Sequence, residues 1–381
     1  MTNADHAFDV RQVIPKDAIP SVDDPDYETD YAGDPDDEVV TVTVKERSRS
    51  ENDADELGAD GPGADAPTTR AYPVRYLHYH EIVNDVLDGV PVAVTWCPLC
   101  GSAVVYDRRV AVEDGEEATA TDHVLEFGVS GKLADDDLVM YDRETGSEWK
   151  QSLGRAIAGP LAGTDLRVLP AAMTTWERFR ESHPDGDVLS PPDGKSEAAG
   201  EGDEPEPIDY DDAPYEAYFE MEGFGLGSHR GEGGREWGRD DLDPKAVVLG
   251  IEHGGEAVGV PRSVVVNDDG DRGVVTLIVG GTGVVVFATK DGGIHAFRNP
   301  GYEWTPAPGG FRATRPDGSG ALYQGDTGRP ADVPAAHTGE SGGAAAEPLE
   351  RLPARRLFAF AWRDDHGDDA FYGLDGGEGE S

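Results

Sequence analysis

Val90-Pro91-Val92-Ala93-Val94-Thr95-Trp96-Cys97-Pro98-Leu99-Cys100-Gly101-Ser102-Ala103-Val104-Val105-Tyr106 is the most telling stretch of this 381-residue chain. Two β-branched and aromatic runs flank a short turn that holds both cysteines, the pattern of strand, tight turn, strand. No other cysteine occurs in the sequence. The pair has a spacing that suits metal binding or dithiol chemistry.

Working outward, similar short runs recur at 39–44, 124–129, 138–141, 247–251, 274–279 and 284–288, punctuated by Gly and Asp. They predict a mainly β (α+β) fold: two tandem related antiparallel β-rich lobes with a few short helices. One helix is expected over 74–87, with Tyr76, Leu77, His80 and Val83 near one face. A second is expected over 174–181, with Thr174 as N-cap and Glu177 completing a capping box. Acidic or Gly/Pro-rich stretches at 46–69, 112–121, 191–207, 228–241 and 335–347 read as solvated loops.

The chain also repeats itself. Leu169-Pro170-Ala171, Phe179-Arg180, His183 and Asp185 recur at identical spacings as Leu352-Pro353-Ala354, Trp362-Arg363, His366 and Asp368. Trp149-Lys150-Gln151 resembles Leu322-Tyr323-Gln324, and Gly101–Val105 resembles Gly281–Val285. In that register Leu277 and Gly280 stand where Cys97 and Cys100 do. The expected organisation is a cysteine-bearing lobe over 1–190, an acidic linker over 191–208 and a cysteine-free lobe over 209–375.

Asp+Glu number 77 against 32 Lys+Arg, a net charge of −45, and only seven of the cations are lysines. A surface this acidic repels nucleic acid and anionic membranes, which are excluded as expected partners. Its self-repulsion is relieved in molar salt, where the Debye length falls to about 3 Å, so the charge points to a halophilic setting. The opening residues lack a basic start with an apolar core, and no run reaches membrane-span length. A cytoplasmic location is expected, and there a close cysteine pair is more often a metal site or working dithiol than a structural disulfide.

Cys-Pro-x-Cys-Gly between strands has the sequence of a zinc-ribbon or rubredoxin knuckle, and supplies half of a four-ligand site. The run His78-Tyr79-His80-Glu81-Ile82-Val83-Asn84-Asp85 offers the other half. If helical, it puts His80 and Asn84 on one face and Glu81 and Asp85 on another. The expected ligands are Cys97, Cys100, His80 and Asp85, for zinc, copper or iron. Glu81 is the candidate general base beside an open metal position. A metal-free dithiol redox or binding module and a protein with inert, buried cysteines are the alternatives. Met140 as a soft ligand, Asp142-Arg143-Glu144 with Trp149 and Gln151, and the His183/His366 pair read better as packing and capping.

Several segments carry a family resemblance: Ile14-Pro15-Lys16-Asp17-Ala18-Ile19-Pro20-Ser21, Ala71-Tyr72-Pro73, His80–Asp85, the cysteine knuckle, Phe127-Gly128-Val129-Ser130-Gly131, Tyr141-Asp142-Arg143-Glu144-Thr145 and His183-Pro184-Asp185. In this order they resemble the domain-of-unknown-function family 3179, closely over residues 10–190 and more weakly to about 250. The resemblance implies no activity. It points to His80, Glu81, Asn84, Asp85, Cys97 and Cys100. The chain departs from it in its acidic inserts and in Trp96, where a tyrosine is expected.

Overall fold

The computed structural model describes residues 8–44, 67–113, 120–200, 204–267, 270–331 and 346–374. Strands take 42% of the residues and helices 12%, which makes the fold mainly β, with six short α-helices among the described residues. The loops expected within 46–66, 114–119 and 335–345 lie outside the described residues. Among the described residues no helix is long and apolar enough to cross a membrane.

The quoted stretch forms a hairpin, Val90–Cys97 paired antiparallel with Ser102–Asp107. Every residue of both strands is buried. Strands covered on both faces read as continuous apolar runs, as these do. Each fully buried Val or Leu contributes about 1.5–3 kcal/mol, so this hairpin is a main source of core stability. Its sheet runs in the order Glu256–Pro261, Val247–His253, Arg355–Phe358, Ser102–Asp107, Val90–Cys97, Ile82–Leu87. Residues from both ends of the chain therefore share one sheet, joined at Arg356 opposite Ala103.

A second sheet contains Phe127–Ala134, Asp137–Asp142 and Glu148–Lys150. A third orders Ala171–Thr175, Glu38–Thr43 and Thr69–Pro73 side by side. The order Arg355–Phe358, Val247–His253, Glu256–Pro261 has the same connectivity. In each trio a proline, Pro73 or Pro261, leads directly into a short helix, and the remaining strand runs into another, Trp176–Ser182 or Ala359–His366.

Two expectations at the helices are corrected. The helix over 74–87 stops at His80, and Ile82–Leu87 is a strand. Glu81 breaks the helix with φ +57. Asp88 and Gly89, at φ +47 and +80, then turn that strand into Val90–Cys97, the two-residue turn whose backbone suits right-twisted hairpins. At the second helix the cap is Thr175, whose side chain accepts from Arg178 N, while Thr174 lies within the preceding strand. The run 124–129 also divides. Val124 closes one hairpin and Phe127 opens another strand. Within 191–207 the described residues include a two-stranded pairing, Lys195–Ser196 with Glu206–Pro207, and a 3-10 turn at Glu197–Ala199.

Candidate metal centre

The knuckle Pro98–Gly101 is clamped by distant segments. Gly101 sits at φ +53, and a Cβ there would lie 2.7 Å from the Phe358 ring. Phe358 N donates to Cys100 O at 2.7 Å, Arg356 Nη1 to Gly101 O at 2.6 Å, and Tyr218 Oη to Leu99 O at 2.8 Å. Both cysteines are reduced and buried, at 2% and 0% exposure. They pack in the same core cluster as Phe127, Met140, Trp149 and Phe358.

A third donor joins them. One ligand atom each from Cys97, Cys100 and Asp137 lie within 4.8 Å of one another. Asp135 and Asp136, both at positive φ, form the turn before Asp137, the first residue of its strand. Asp137 Oδ2 accepts from Ser152 N at 2.8 Å. Among the described residues its Oδ1 has no hydrogen-bond partner, and neither do the buried atoms Ser102 Oγ, Gln151 Oε1 and Ser152 Oγ. Ser102 pairs with Cys97 across the hairpin, and Gln151 Nε2 bonds Thr95 Oγ1 and Ser102 O. Orphaned buried polar atoms are uncommon, and each calls for an ion or water to satisfy it.

Electrostatics at this point are unfavourable for charge on the donors alone. Burial pushes the Asp137 carboxyl up to about 6, against the pull of Lys150. Burial raises the Cys97 thiol, aided by Asp137 and Glu81 though opposed by a hydrogen bond with Cys100. Burial drives Cys100 further up, with only Lys150 drawing it back. Lys150 is itself buried and held by Asp365 at 2.6 Å and Asp135 at 3.3 Å.

Of the expected ligands, only the cysteines meet here. His80 is turned away: Nδ1 donates to Pro20 O at 2.9 Å, and Nε2 meets the Tyr210 hydroxyl at 2.6 Å. The imidazole locks a chain crossing, with both nitrogens committed. Asp85 is also absent from the cluster, because its carboxylate is held by Arg70 Nη1 at 2.8 and 2.9 Å and by the Tyr72 hydroxyl. Burial raises Asp85, but the tyrosine hydroxyls and Arg70 outweigh it and hold its pKa below the ordinary value. Asn84 bridges backbone, accepting from Phe127 N and donating to Phe127 O. For Asn84 and Asp85 the physical reason is shared. With the helix ended at His80, the residues beyond it alternate across a strand instead of sharing a helix face.

Glu81 does approach. It precedes the strand paired with Val90–Cys97, and its carbonyl accepts from Trp96 N at 2.8 Å. Its carboxyl is 7% exposed and accepts no hydrogen bond among the described residues; burial first, then Glu197 and Asp137, push it up to about 8. It lines a cavity of about 110 Å³ together with Cys97, Glu197, Tyr215 and His229. A buried carboxyl at a helix-breaking positive φ is held there by its surroundings at a backbone cost of order 1–3 kcal/mol. Such strain together with a shifted pKa in a cavity is a mark of functional sites.

Asp137 is the ligand candidate that sequence reasoning missed. Its signal was present: Asp135-Asp136 between apolar runs is a hairpin turn, and the next residue must open a buried strand. Met140 lies in the core, and Trp149 Nε1 donates to Asp142 Oδ2 at 2.9 Å.

No curated protein and no solved structure matches this sequence. The family match begins after the Ile14–Ser21 motif and reaches further toward the C-terminus than the quoted motifs suggested. The model described as "Protein of unknown function (DUF3179)" matches residues 65–369, from the strand before the first helix to the last helix, and the chain belongs to that family.

Proposed function

We propose that this protein is a mononuclear metal-binding protein, with the ion held by Cys97 Sγ, Cys100 Sγ and a carboxylate oxygen of Asp137. The observation that carries this reading is the convergence of three buried donors, one of them an Asp137 oxygen with no other partner. A divalent cation reverses the local electrostatics: it deprotonates both thiols and offsets the carboxylate. Two thiolates and one oxygen favour zinc or iron(II) over copper. Three protein ligands leave one position for water or substrate, the arrangement of catalytic rather than structural zinc sites. The cavity beside Cys97 supplies that access, and Glu81 is the group placed there to accept or deliver a proton.

Reversible dithiol exchange fits less well. It requires an accessible thiolate, whereas burial and two nearby carboxyls keep these thiols protonated. Inert cysteines leave the orphaned Asp137 oxygen without a purpose.

The matching strand orders support a duplicated chain in which the second copy dispensed with the site. There the hairpin Gly273–Val279 with Thr282–Ala288 closes through Gly280-Gly281 alone, with no room for a knuckle. The net charge of −45 supports work in concentrated salt and away from nucleic acid.

Cobalt(II) titration of the metal-free protein in high salt tests the site. The expected result is a saturable thiolate-to-cobalt absorption band, abolished by Cys97→Ser and weakened by Asp137→Asn. A titration without that band refutes it.

A further inference from the structure

A larger cavity of about 510 Å³ lies away from the thiols, between the helix Trp176–Ser182 and the segment from Pro348 to Pro353. That is a small-molecule volume. Its lining is out of character for so acidic a chain: five arginines, Arg109, Arg167, Arg178, Arg329 and Arg351, against the carboxylates of Asp326 and Glu350. Both carboxylates are already engaged. Asp326 takes a two-pronged contact from Arg178 at 2.7 and 3.0 Å and the Ser182 hydroxyl at 2.9 Å. Glu350 pairs with Arg298 at 2.9 Å. Arg109 is paired with Asp107 at 2.7 Å.

Arg167, Arg329 and Arg351 have no carboxylate partner among the described residues. Arg351 is fixed in place, and the one carboxylate acting on it, Asp326, is already bonded by Arg178. Its Nη2 donates to the backbone carbonyl of Asp326, Nη1 lies 3.4 Å from His295 Nδ1, and the guanidinium sits 4.6 Å over the Phe297 ring. The cavity in the corresponding place of the other strand trio, about 560 Å³, shows the contrast. Two of its arginines are neutralised, Arg155 by Asp165 at 2.6 Å and Arg355 by Glu252 at 2.5 Å, and the third, Arg167, lines both cavities. The unpaired Arg329 and Arg351 therefore belong to this cavity alone and are not a property of the fold.

We propose that this cavity binds a small, multiply charged oxyanion, a phosphate or polycarboxylate group, through Arg351 and Arg329, with Arg167 at the rim. A planar guanidinium fork matches both kinds of oxyanion, and such charge-assisted pairs are the strong ones. An anion here also relieves the mutual repulsion of three cations in one cavity. This site is independent of the metal centre.

Calorimetric titration of the full chain with inorganic phosphate and with citrate, each against chloride at equal ionic strength, tests the proposal. One saturable site for phosphate, citrate or both is expected at millimolar concentration, and the preferred ion identifies the source. Arg351→Gln weakens it by about tenfold or more, the worth of one charge-assisted contact. Arg329 is exposed, so Arg329→Gln tests the same site without disturbing the core. Cys97→Ser/Cys100→Ser leaves anion binding intact, which separates this result from that of the metal centre. Neither ion binding above the chloride control, or unchanged affinity in both arginine variants, overturns the proposal.

Discussion

Glu81→Gln makes the metal-free protein more stable in alkaline solution. The carboxyl titrates at about 8 in the fold against an ordinary 4.5, because burial and the neighbouring Glu197 and Asp137 disfavour its charge. The unfolded chain therefore gives up this proton first. Wild-type stability contains a term that is fully present below pH 4.5 and is lost as pH rises towards 8. Glutamine has no such term. Between pH 5 and pH 8 the stability difference between variant and wild type shifts by roughly three pKa units, or about 4 kcal/mol, in favour of glutamine. Comparing the two pH values cancels the packing and hydrogen-bond differences between the side chains. Denaturant unfolding at high salt with a chelator present, followed by tryptophan fluorescence, reads the shift directly. A difference that stays flat with pH, within about 1 kcal/mol, means that Glu81 is not held protonated and refutes its placement as a proton-transfer group.

Acid acts in the opposite direction through the histidines. Burial lowers His78, His183 and His295 to about 4, so the unfolded state takes up protons first, and their contribution is present above pH 6.5 and lost as pH falls towards 4. His78→Asn should flatten the acid limb of the stability curve by up to about 1.4 kcal/mol per pH unit; an unchanged slope in urea melts removes this explanation. Lys150→Met strands Asp365, its 1%-exposed partner, and should cost about 3–5 kcal/mol, read from the denaturant midpoint. Gly101→Ala meets both the positive φ and the Phe358 ring and should lose about 1–3 kcal/mol, with thiols that become reactive to a thiol reagent in the folded state. Glu81→Gly, freed of the strained φ, should be more stable than Glu81→Ala by about 1 kcal/mol.

The hairpin around the cysteines was legible in the sequence because its residues are β-branched, apolar and interrupted by one turn. What lay beside it was less legible. The run from Val74 to Leu87 contains apolar residues at helical spacing, yet Ile82 and Val83 prefer strands and Asp88-Gly89 is a hairpin turn. Pairing with Val90–Cys97 decided between the two patterns. That boundary carried Asp85 away from the cysteines and left Glu81, at the break, lining the cavity beside Cys97, while His80 stayed on the helix with both nitrogens engaged elsewhere. Asp137 could not be found by spacing from the cysteines, because it reaches them across two sheets. The arginine cavity was invisible for the same reason. Its residues are scattered along a chain whose composition suggests only negative charge.

Metal content tests the central claim most directly. Protein purified in concentrated salt without chelator should carry about one zinc or iron per chain by elemental mass spectrometry. His80→Gln should retain the ion, while Cys97→Ser and Asp137→Asn should lose it. Less than about a tenth of an equivalent in the wild type, or a metal that survives Asp137→Asn and leaves with His80→Gln, contradicts the site described above.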